Sequence, residues 1–376
     1  MIKISSDFDH GNIKRLEASD PTNIRLAIQS DGKADFFQWF YYRVDRAAGQ
    51  RLTMRIENAH EASYVGGWKD YRAVASYDGE NWFRIATSFD GKVLTINHSP
   101  DQDTVYYAYF AAYPVSRYQA FVEKAKQAPL LIHDVIGHTL DDQTIEYFRA
   151  GEPGEGKLQY WVIARQHPGE TMGSWWMEGF LDRIADENDE AAKILRDKAV
   201  IHIVPCMNLD GAKRGHLRTN AAGTDLNRAW RNASLELSPE VFLTRAKMQE
   251  TGVDFFLDVH GDEAIPNNFL DSAKGIPSWN NRHEMLFNRY SALMLEESKD
   301  FQTRDGYPTS PPGKANLDIA TNYVAETWGC LSMTLEMPFK DANVNPDPVY
   351  GWSPERCRLL GRDNLAVMAQ MADLLR

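Results

Sequence analysis

The first third of the chain alternates short apolar segments with polar turn sequences. Between about residues 20 and 113, segments rich in β-branched and aromatic residues are separated by DGK, YDGEN and SPDQD. Such segments are typical of short strands, and the Gly-, Asp- and Asn-rich sequences between them are typical of turns. Strands are predicted at residues 36–44, 52–56, 82–85, 93–96 and 105–110. The pattern predicts an all-β sandwich.

The pattern changes after Pro114. A helical periodicity over residues 115–126 leads into apolar segments that alternate with amphipathic helices, which is typical of an α/β fold. We therefore predict two domains, a β-sandwich over residues 1–114 and an α/β domain over residues 115–376. Four buried strands are predicted in the second domain, at residues 158–164, 198–205, 253–259 and 331–335.

The composition is that of a globular protein, with 43% hydrophobic and 25% charged residues in a chain of 376. The formal net charge of -12 argues against nucleic acid as a partner, because binding to the phosphate backbone needs a basic surface. No segment approaches the roughly 20 apolar residues of a membrane span, and the N-terminal sequence lacks the features of a secretory signal. The three cysteines have no CxxC spacing, so no disulfide framework or thiolate zinc site is indicated. These features predict a cytoplasmic protein.

Candidate metal ligands follow two of the predicted strands. His167-Pro-Gly-Glu170 comes after residues 158–164, and His260 comes directly after residues 253–259. Active sites of open α/β sheets lie at the carboxyl ends of strands. Catalytic zinc uses three imidazole or carboxylate ligands and keeps one position open. Taken singly, each candidate also fits a structural role in a loop or at a sheet edge. Asp258 is placed either to orient a ligand histidine or to serve as a structural carboxylate.

A long polar loop, NLDGAKRGHLRTNAAGTDLNRAW, separates two of the buried strands and is rich in cations in an otherwise acidic chain. Arginine suits carboxylates through its planar fork of donors, so the loop predicts a site for a substrate carboxylate or an oxyanion. A solvated basic loop is the alternative. Glu336 ends the apolar segment SMTLE, where an unpaired charge is unfavourable. It is either a general base or one half of a salt bridge.

Four motifs in one order, HPGE, NLDG with HLRTNAAGTDLNRAW, DVHGDE and TLEMPF, resemble the zinc carboxypeptidase family. They are most similar to its cytosolic carboxypeptidase subfamily, whose eukaryotic members remove glutamates from tubulin tails. FFQWFYYRV, ENWFRI and YFAAYP resemble the β-sandwich of that subfamily, so the resemblance covers nearly the whole chain. It implies an antiparallel β-sandwich followed by an α/β/α zinc carboxypeptidase domain with a mixed sheet.

The resemblance also implies site residues. One zinc ion per chain is held by His167, Glu170 and His260, and Glu336 is the general base that activates the attacking water. The implied activity is hydrolysis of the C-terminal peptide or isopeptide bond of peptides or proteins.

The same resemblance assigns Arg218 to the scissile carbonyl and both Asn227 and Arg228 to the free α-carboxylate of the substrate. Tyr307 and Tyr323 are the two candidates for the mobile tyrosine of the family. For the side-chain pocket, Lys314 is the nearby cation, although a structural lysine fits its sequence context equally.

Two other functions stay open at this point. A zinc amidohydrolase acting on an N-acyl amino acid or a γ-linked cell-wall peptide would use the same metal site. A binding module with a degenerate peptidase domain would not keep the whole set of ligands and base. The sequence leaves homo-oligomerisation open as well.

Overall fold

The computed structural model describes residues 2–375, and the N-terminal part of this range consists of short strands. The strands are β1 (Lys3–Ser5), β2 (Lys14–Glu17), β3 (Ile24–Ala27), β4 (Tyr41–Asp45), β5 (Leu52–Ile56), β6 (Val74–Ser76), β7 (Trp82–Arg84), β8 (Ala86–Phe89), β9 (Leu94–His98) and β10 (Thr104–Ala108). Single 3-10 turns occur at Ala59–Glu61 and Val65–Trp68.

Strands and helices alternate in the remainder. The strands are β11 (Leu131–His138), β12 (Thr144–Ala150), β13 (Leu158–Ala164), β14 (Ala199–Val204), β15 (Phe255–Asp262), β16 (Phe269–Ser272) and β17 (Leu331–Pro338). The helices are α1 (Val115–Lys126), α2 (Met172–Ile184), α3 (Glu190–Lys198), α4 (Leu209–Arg214), α5 (Pro239–Thr251), α6 (Asn281–Glu297), α7 (Ala320–Trp328) and α8 (Pro354–Met371), with a 3-10 turn at Leu226–Arg228. Within residues 2–375, no helix combines the length and apolar character needed to cross a membrane.

Two five-stranded sheets form the N-terminal sandwich, in the orders β1-β4-β10-β6-β7 and β2-β3-β5-β9-β8. Alternate residues of β5 are buried, as expected for a strand with one face toward a core. The two sheets are joined by contacts such as that between the hydroxyl of Tyr42 and the sulfur of Met54, at 3.2 Å. The sandwich is confirmed, and its strand pairs are antiparallel apart from β3 with β5, which is parallel.

The first predicted strand is too long at its start. Residues 36–40 lead into β4 instead of belonging to it, and β4 begins at Tyr41. The backbone N–H of Phe37 donates to the hydroxyl oxygen of Ser63 at 2.9 Å. The backbone of this segment therefore forms hydrogen bonds with loop side chains. The apolar pattern by itself does not distinguish such a segment from a strand.

The second part is built on a seven-stranded mixed sheet in the order β11-β12-β14-β13-β15-β17-β16. Its four central strands are parallel, and β11, β12 and β16 are antiparallel to their neighbours. Along β13, Tyr160 and Val162 belong to the core under α2 and α8, while Trp161 and Ile163 belong to the core under α5 and α7. Helices therefore cover both faces of the sheet, which confirms the predicted α/β/α architecture.

The strand order reverses beside β13, because β14 lies on one side of it and β15 on the other. The chain segments that leave the carboxyl ends of these strands diverge and leave a crevice, the usual place of an active site in such sheets. β15 and β17 continue to Asp262 and Pro338, farther than predicted. His260 and Glu336 consequently lie within the strands, where they are paired directly across the sheet.

Two glycines bring helices α2 and α8 into close contact. A Cβ atom on Gly179 would lie 2.1 Å from the carbonyl oxygen of Arg358, and one on Gly361 would lie 2.3 Å from the carbonyl oxygen of Trp176. These approaches involve backbone atoms, which cannot rotate away as a flexible side chain would.

We expect Gly179→Ala to lower the free energy of unfolding by roughly 1–3 kcal/mol, since the added methyl group must separate two packed helices. Denaturant unfolding at saturating zinc measures this change. Gly154→Ala is the matched control, because its Cβ would meet only Lys157 Cγ, at 3.7 Å. Equal unfolding midpoints for the two variants would contradict the packing interpretation.

Candidate metal centre and active site

His167, Glu170 and His260 meet at the end of the crevice. The first two lie between β13 and α2, and His260 lies on β15. Each is at most 4% exposed. Nδ1 of His167 is 2.7 Å from Oε1 of Glu170, Nδ1 of His260 is 2.8 Å from Oε2 of Glu170, and the two Nδ1 atoms are 3.2 Å apart. The candidate ligand atoms of all three lie within 4.8 Å of one another.

The chemistry of these donors fits zinc. Two imidazole nitrogens and a carboxylate oxygen facing one point form the three-ligand set of a catalytic zinc site, which leaves a position open. Carboxylates on the outer side of each ring support this assignment. Nε2 of His260 donates to Asp258 at 2.8 Å, and Nε2 of His167 donates to Asp225 at 3.0 Å. With its proton on Nε2, each ring keeps the Nδ1 lone pair for a metal.

The loop before α2 is shaped by a buried arginine. Arg165 has a positive φ of 63° and donates from Nε to the carbonyl of Pro168 at 2.7 Å and from Nη1 to Ser174 at 2.7 Å. The next loop also approaches closely, since the N–H of Gly169 donates to the carbonyl of Leu217 at 2.9 Å. These contacts hold the HPGE turn so that both of its ligands face the same point.

Asp225 connects the candidate ligand His167 to an arginine. Its Oδ2 accepts a hydrogen bond from Nε of Arg218 at 2.7 Å, while its Oδ1 binds His167. Burial acts to raise the pKa of Asp225, but the hydrogen bond with His167 and the charge of Arg218 outweigh burial and hold the pKa well below its ordinary value. The sequence prediction missed Asp225. Its position two residues before Asn227, in the same polar loop, is the signal that could have identified it.

Asn227 and Arg228 lie on the wall of the same crevice. Oδ1 of Asn227 accepts from the backbone N–H of Ala320, at the start of α7, at 2.8 Å. Nη1 of Arg228 donates to the carbonyl of Asn227 at 2.7 Å, which leaves its other guanidinium donors for a ligand. Both side chains therefore lie on the short turn that follows Asp225.

Glu336 lies beside His260 in the register of β15 and β17. Its Oε1 is 3.2 Å from the hydroxyl of Tyr307, and its Oε2 is buried without a hydrogen-bond partner among residues 2–375. Burial raises the pKa of Glu336 well above its ordinary value, and the carboxylates of Glu170 and Asp262 add to the rise while His260 opposes it. A carboxylate with one free oxygen next to a metal position is suited to proton transfer.

The structure separates the two tyrosine candidates. The hydroxyl of Tyr307 is 2.8 Å from Oδ2 of Asp262 as well as within reach of Glu336, so this ring lies in the site. Tyr323 packs against Trp230 in the core under α5 and α7, and it does not line the crevice. Lys314 is exposed and does not line the crevice.

A cavity of about 340 Å³ contains these groups. Eight residues predicted from the sequence line it, namely His167, Glu170, Arg218, Asn227, Arg228, His260, Tyr307 and Glu336. The lining also includes polar side chains that were not predicted, among them Tyr64, Asp262, Glu263, Asp271 and Thr334. The cavity therefore combines a metal position, a proton acceptor and two guanidinium groups.

We expect Asp258→Asn to weaken zinc binding roughly 10- to 100-fold, because the amide no longer holds His260 with its proton on Nε2. Competition with a chelator measures the affinity. Glu146→Gln is the control, since Glu146 forms an equivalent contact with His133 at 2.5 Å in a different part of the sheet. Equal zinc affinities in both variants would show that Asp258 does not support the metal site.

Comparison with known families gives two matches that cover most of the chain. Residues 4–110 match the cytosolic carboxypeptidase N-terminal domain, and residues 118–356 match the zinc carboxypeptidase family.

Solved structures match along the full length. A metallo-carboxypeptidase from Pseudomonas aeruginosa, in complex with (2-guanidinoethylmercapto)succinic acid, is 43% identical with a TM-score of 0.97 over 100% of both chains. One from Burkholderia cenocepacia is 41% identical with a TM-score of 0.97 and covers 99% of this chain and 100% of that one. Human cytosolic carboxypeptidase 2 is 29% identical over 77% of this chain, which spans 36% of that protein's length.

The matches agree with the fold and with the donor set at the end of the crevice. They confirm the resemblance predicted from the sequence motifs, including the β-sandwich that precedes the peptidase domain. This chain therefore belongs to the zinc carboxypeptidase family and is a zinc-dependent metallocarboxypeptidase.

Proposed function

We propose that the cavity hydrolyses the last bond of a peptide with a free C-terminal carboxylate. In this proposal His167, Glu170 and His260 hold the zinc ion, and Glu336 is the general base. The observation that carries it is the free oxygen of Glu336. This buried oxygen has no hydrogen-bond partner among residues 2–375, and Glu336 lines the same cavity as the three convergent ligands.

Two guanidinium groups line the cavity, and their surroundings support different roles. Arg218 is paired with Asp225, which also binds His167. The guanidinium is therefore held near the proposed zinc ligand, where it can stabilise the charge that develops on the scissile carbonyl oxygen. Arg228 donates to the backbone carbonyl of Asn227, and its other guanidinium donors have no hydrogen-bond partner within residues 2–375. Arginine and asparagine donors together suit a substrate α-carboxylate, which Arg can bind through two parallel hydrogen bonds.

The protein groups perform the proton transfers in this proposal. Glu336 accepts a proton from the attacking water and donates it to the leaving amine nitrogen as the C–N bond breaks. The guanidinium of Arg218 stabilises the oxyanion, and loss of one such donor typically costs roughly 3–4 kcal/mol of transition-state stabilisation. Zinc at the three ligands would supply a Lewis acid that acidifies water and polarises the carbonyl.

The cavity contains a further carboxyl group, in the part that we propose as the pocket for the C-terminal side chain of the substrate. Asp271 pairs with Thr334 across β16 and β17. Thr334 is two residues before Glu336 on β17, so Asp271 lies on the same face of the sheet as Glu336. It lines the cavity, and burial raises its pKa to about 6. Its carboxylate forms no ion pair within residues 2–375. We propose that this pocket favours a cationic C-terminal side chain over glutamate, and the guanidino ligand of the Pseudomonas aeruginosa relative supports this.

We further propose that the chain divides into domains at residues 114 and 115 and acts in a reducing compartment. The ends of the two family matches, at residues 110 and 118, support the division. The cysteines are buried and unpaired in the structure, and related proteins carry the name cytosolic carboxypeptidase, which supports a cytoplasmic location.

We expect the protein to cleave peptides with a free C-terminal carboxylate and to leave their amidated forms intact. Glu336→Gln should lower kcat roughly 1,000-fold through loss of the general base, with zinc content unchanged because Glu336 is not a ligand. His167→Ala should lose both zinc and activity. Mass spectrometry of products and metal analysis measure these results. Cleavage of N-acyl amino acids or γ-linked peptides alone would support the amidohydrolase instead.

We expect kcat/KM for peptides ending in lysine or arginine to exceed that for peptides ending in glutamate. Asp271→Asn should reduce the preference roughly 10-fold, the effect of losing a hydrogen bond to a charged group. The preference should weaken as the pH falls below about 6, because protonation removes the charge of Asp271. Lys314→Ala is the control and should change nothing. Faster cleavage of glutamate would contradict this assignment.

A further inference from the structure

A residue of the N-terminal sandwich binds the loop that carries Arg218. Asp31 lies between β3 and β4 and is fully buried. Its carboxylate accepts hydrogen bonds from three successive backbone N–H groups, those of Leu217 at 2.6 Å, Arg218 at 2.7 Å and Thr219 at 2.9 Å. The hydroxyl of Thr219 adds a fourth contact at 3.2 Å. These residues are separated by almost 190 positions in the chain.

These hydrogen bonds control the backbone on both sides of the Arg218 Cα atom. Residues 215–225, which we term the Arg218 loop, contain no helix or strand, and their regular pairing is a single bridge between Thr219 and Asp225. A loop without regular structure depends on its neighbours for a fixed conformation. Four hydrogen bonds of 2.6–3.2 Å end on this one buried carboxyl group, so Asp31 is a strong anchor for the loop.

The sandwich also surrounds the side chain of Arg218. The guanidinium lies 5.5 Å from the ring centroid of Phe36 and 5.7 Å from that of Tyr64. Both rings belong to the N-terminal part, within the distance at which a cation is attracted to an aromatic face. Asp225, at the end of the same loop, accepts a hydrogen bond from the Nε atom. Backbone and side chain are therefore constrained by separate groups.

We propose that Asp31 is a positioning residue of the active site, through which the N-terminal sandwich holds Arg218 toward the scissile carbonyl. The inference rests on the oxyanion role proposed above for Arg218. It assigns the sandwich a part in catalysis in addition to its part in folding.

A second contact between the sandwich and the Arg218 loop provides a control. It distinguishes positioning of Arg218 from docking of the two parts of the chain. Nδ2 of Asn12 donates to the carbonyl of Gly215 at 2.8 Å, at the start of the Arg218 loop. This contact joins the sandwich to the loop without touching Leu217, Arg218 or Thr219. Asn12→Ala is therefore a matched control that weakens docking and leaves the arginine in place.

A double-mutant cycle tests the inference on the zinc-loaded, full-length enzyme. We expect Asp31→Asn to lower kcat roughly 100-fold, the effect of a small misplacement of a catalytic group, with KM and zinc content unchanged. In an Arg218→Ala background the same substitution should lower kcat less than about 3-fold, since the group it positions is already absent. Asn12→Ala should lower the melting temperature and leave kcat unchanged.

Equal losses from Asp31→Asn in both backgrounds, or an unchanged kcat in a folded Asp31→Asn enzyme, would overturn the inference. If Asp31→Asn does not fold, Phe36→Leu is used in its place. We expect Phe36→Leu to cause a smaller loss of kcat, and this loss should vanish in the Arg218→Ala background. Additive losses from Phe36→Leu and Arg218→Ala would also overturn the inference. An unchanged kcat in Arg218→Ala alone would instead refute the oxyanion role itself, which distinguishes failure of the proposed function from failure of the positioning role.

Discussion

The carboxylate of Asp225 binds two functional side chains at once, and the geometry of the site depends on this pair of contacts. One oxygen accepts from His167 and the other from Arg218. Burying a charge is costly unless it is paired, so the three groups stabilise one another only in this arrangement. The position of a metal ligand and the position of the arginine are therefore set by the same residue, and a shift of either must move the other.

Acidic groups are concentrated around this pair. Glu170, Asp262, Glu263 and Glu336 line the cavity together, and burial combined with their mutual repulsion raises the pKa of Glu336. A cation at the three ligands compensates for such a concentration of negative charge, which explains why an acidic enzyme places so many carboxylates in a buried crevice. The guanidinium of Arg218 lines the same cavity and adds a positive charge to it.

The regular elements could be predicted closely where apolar residues dominate. Helix α1 and strands β5 and β13 have the predicted bounds, because each buries a continuous or periodic apolar face. The predictions failed at polar ends. Strands β15 and β17 continue past His260 and Glu336, because their backbone pairing extends beyond the apolar segment. The residue pattern of one strand does not indicate how far its pairing with another strand extends.

The amino-acid sequence by itself determined the α/β framework. Its motifs indicated the residues that we propose as zinc ligands, as the general base and as the site for the substrate α-carboxylate. Only the tertiary structure showed that Tyr307 reaches Glu336, that Asp271 lines the same cavity, and that Asp31 binds the Arg218 loop. The reason is physical. Ligands at strand ends are local features of the chain, whereas these contacts arise from strand register and from the packing of two distant parts, neither of which leaves a periodic signal in the sequence.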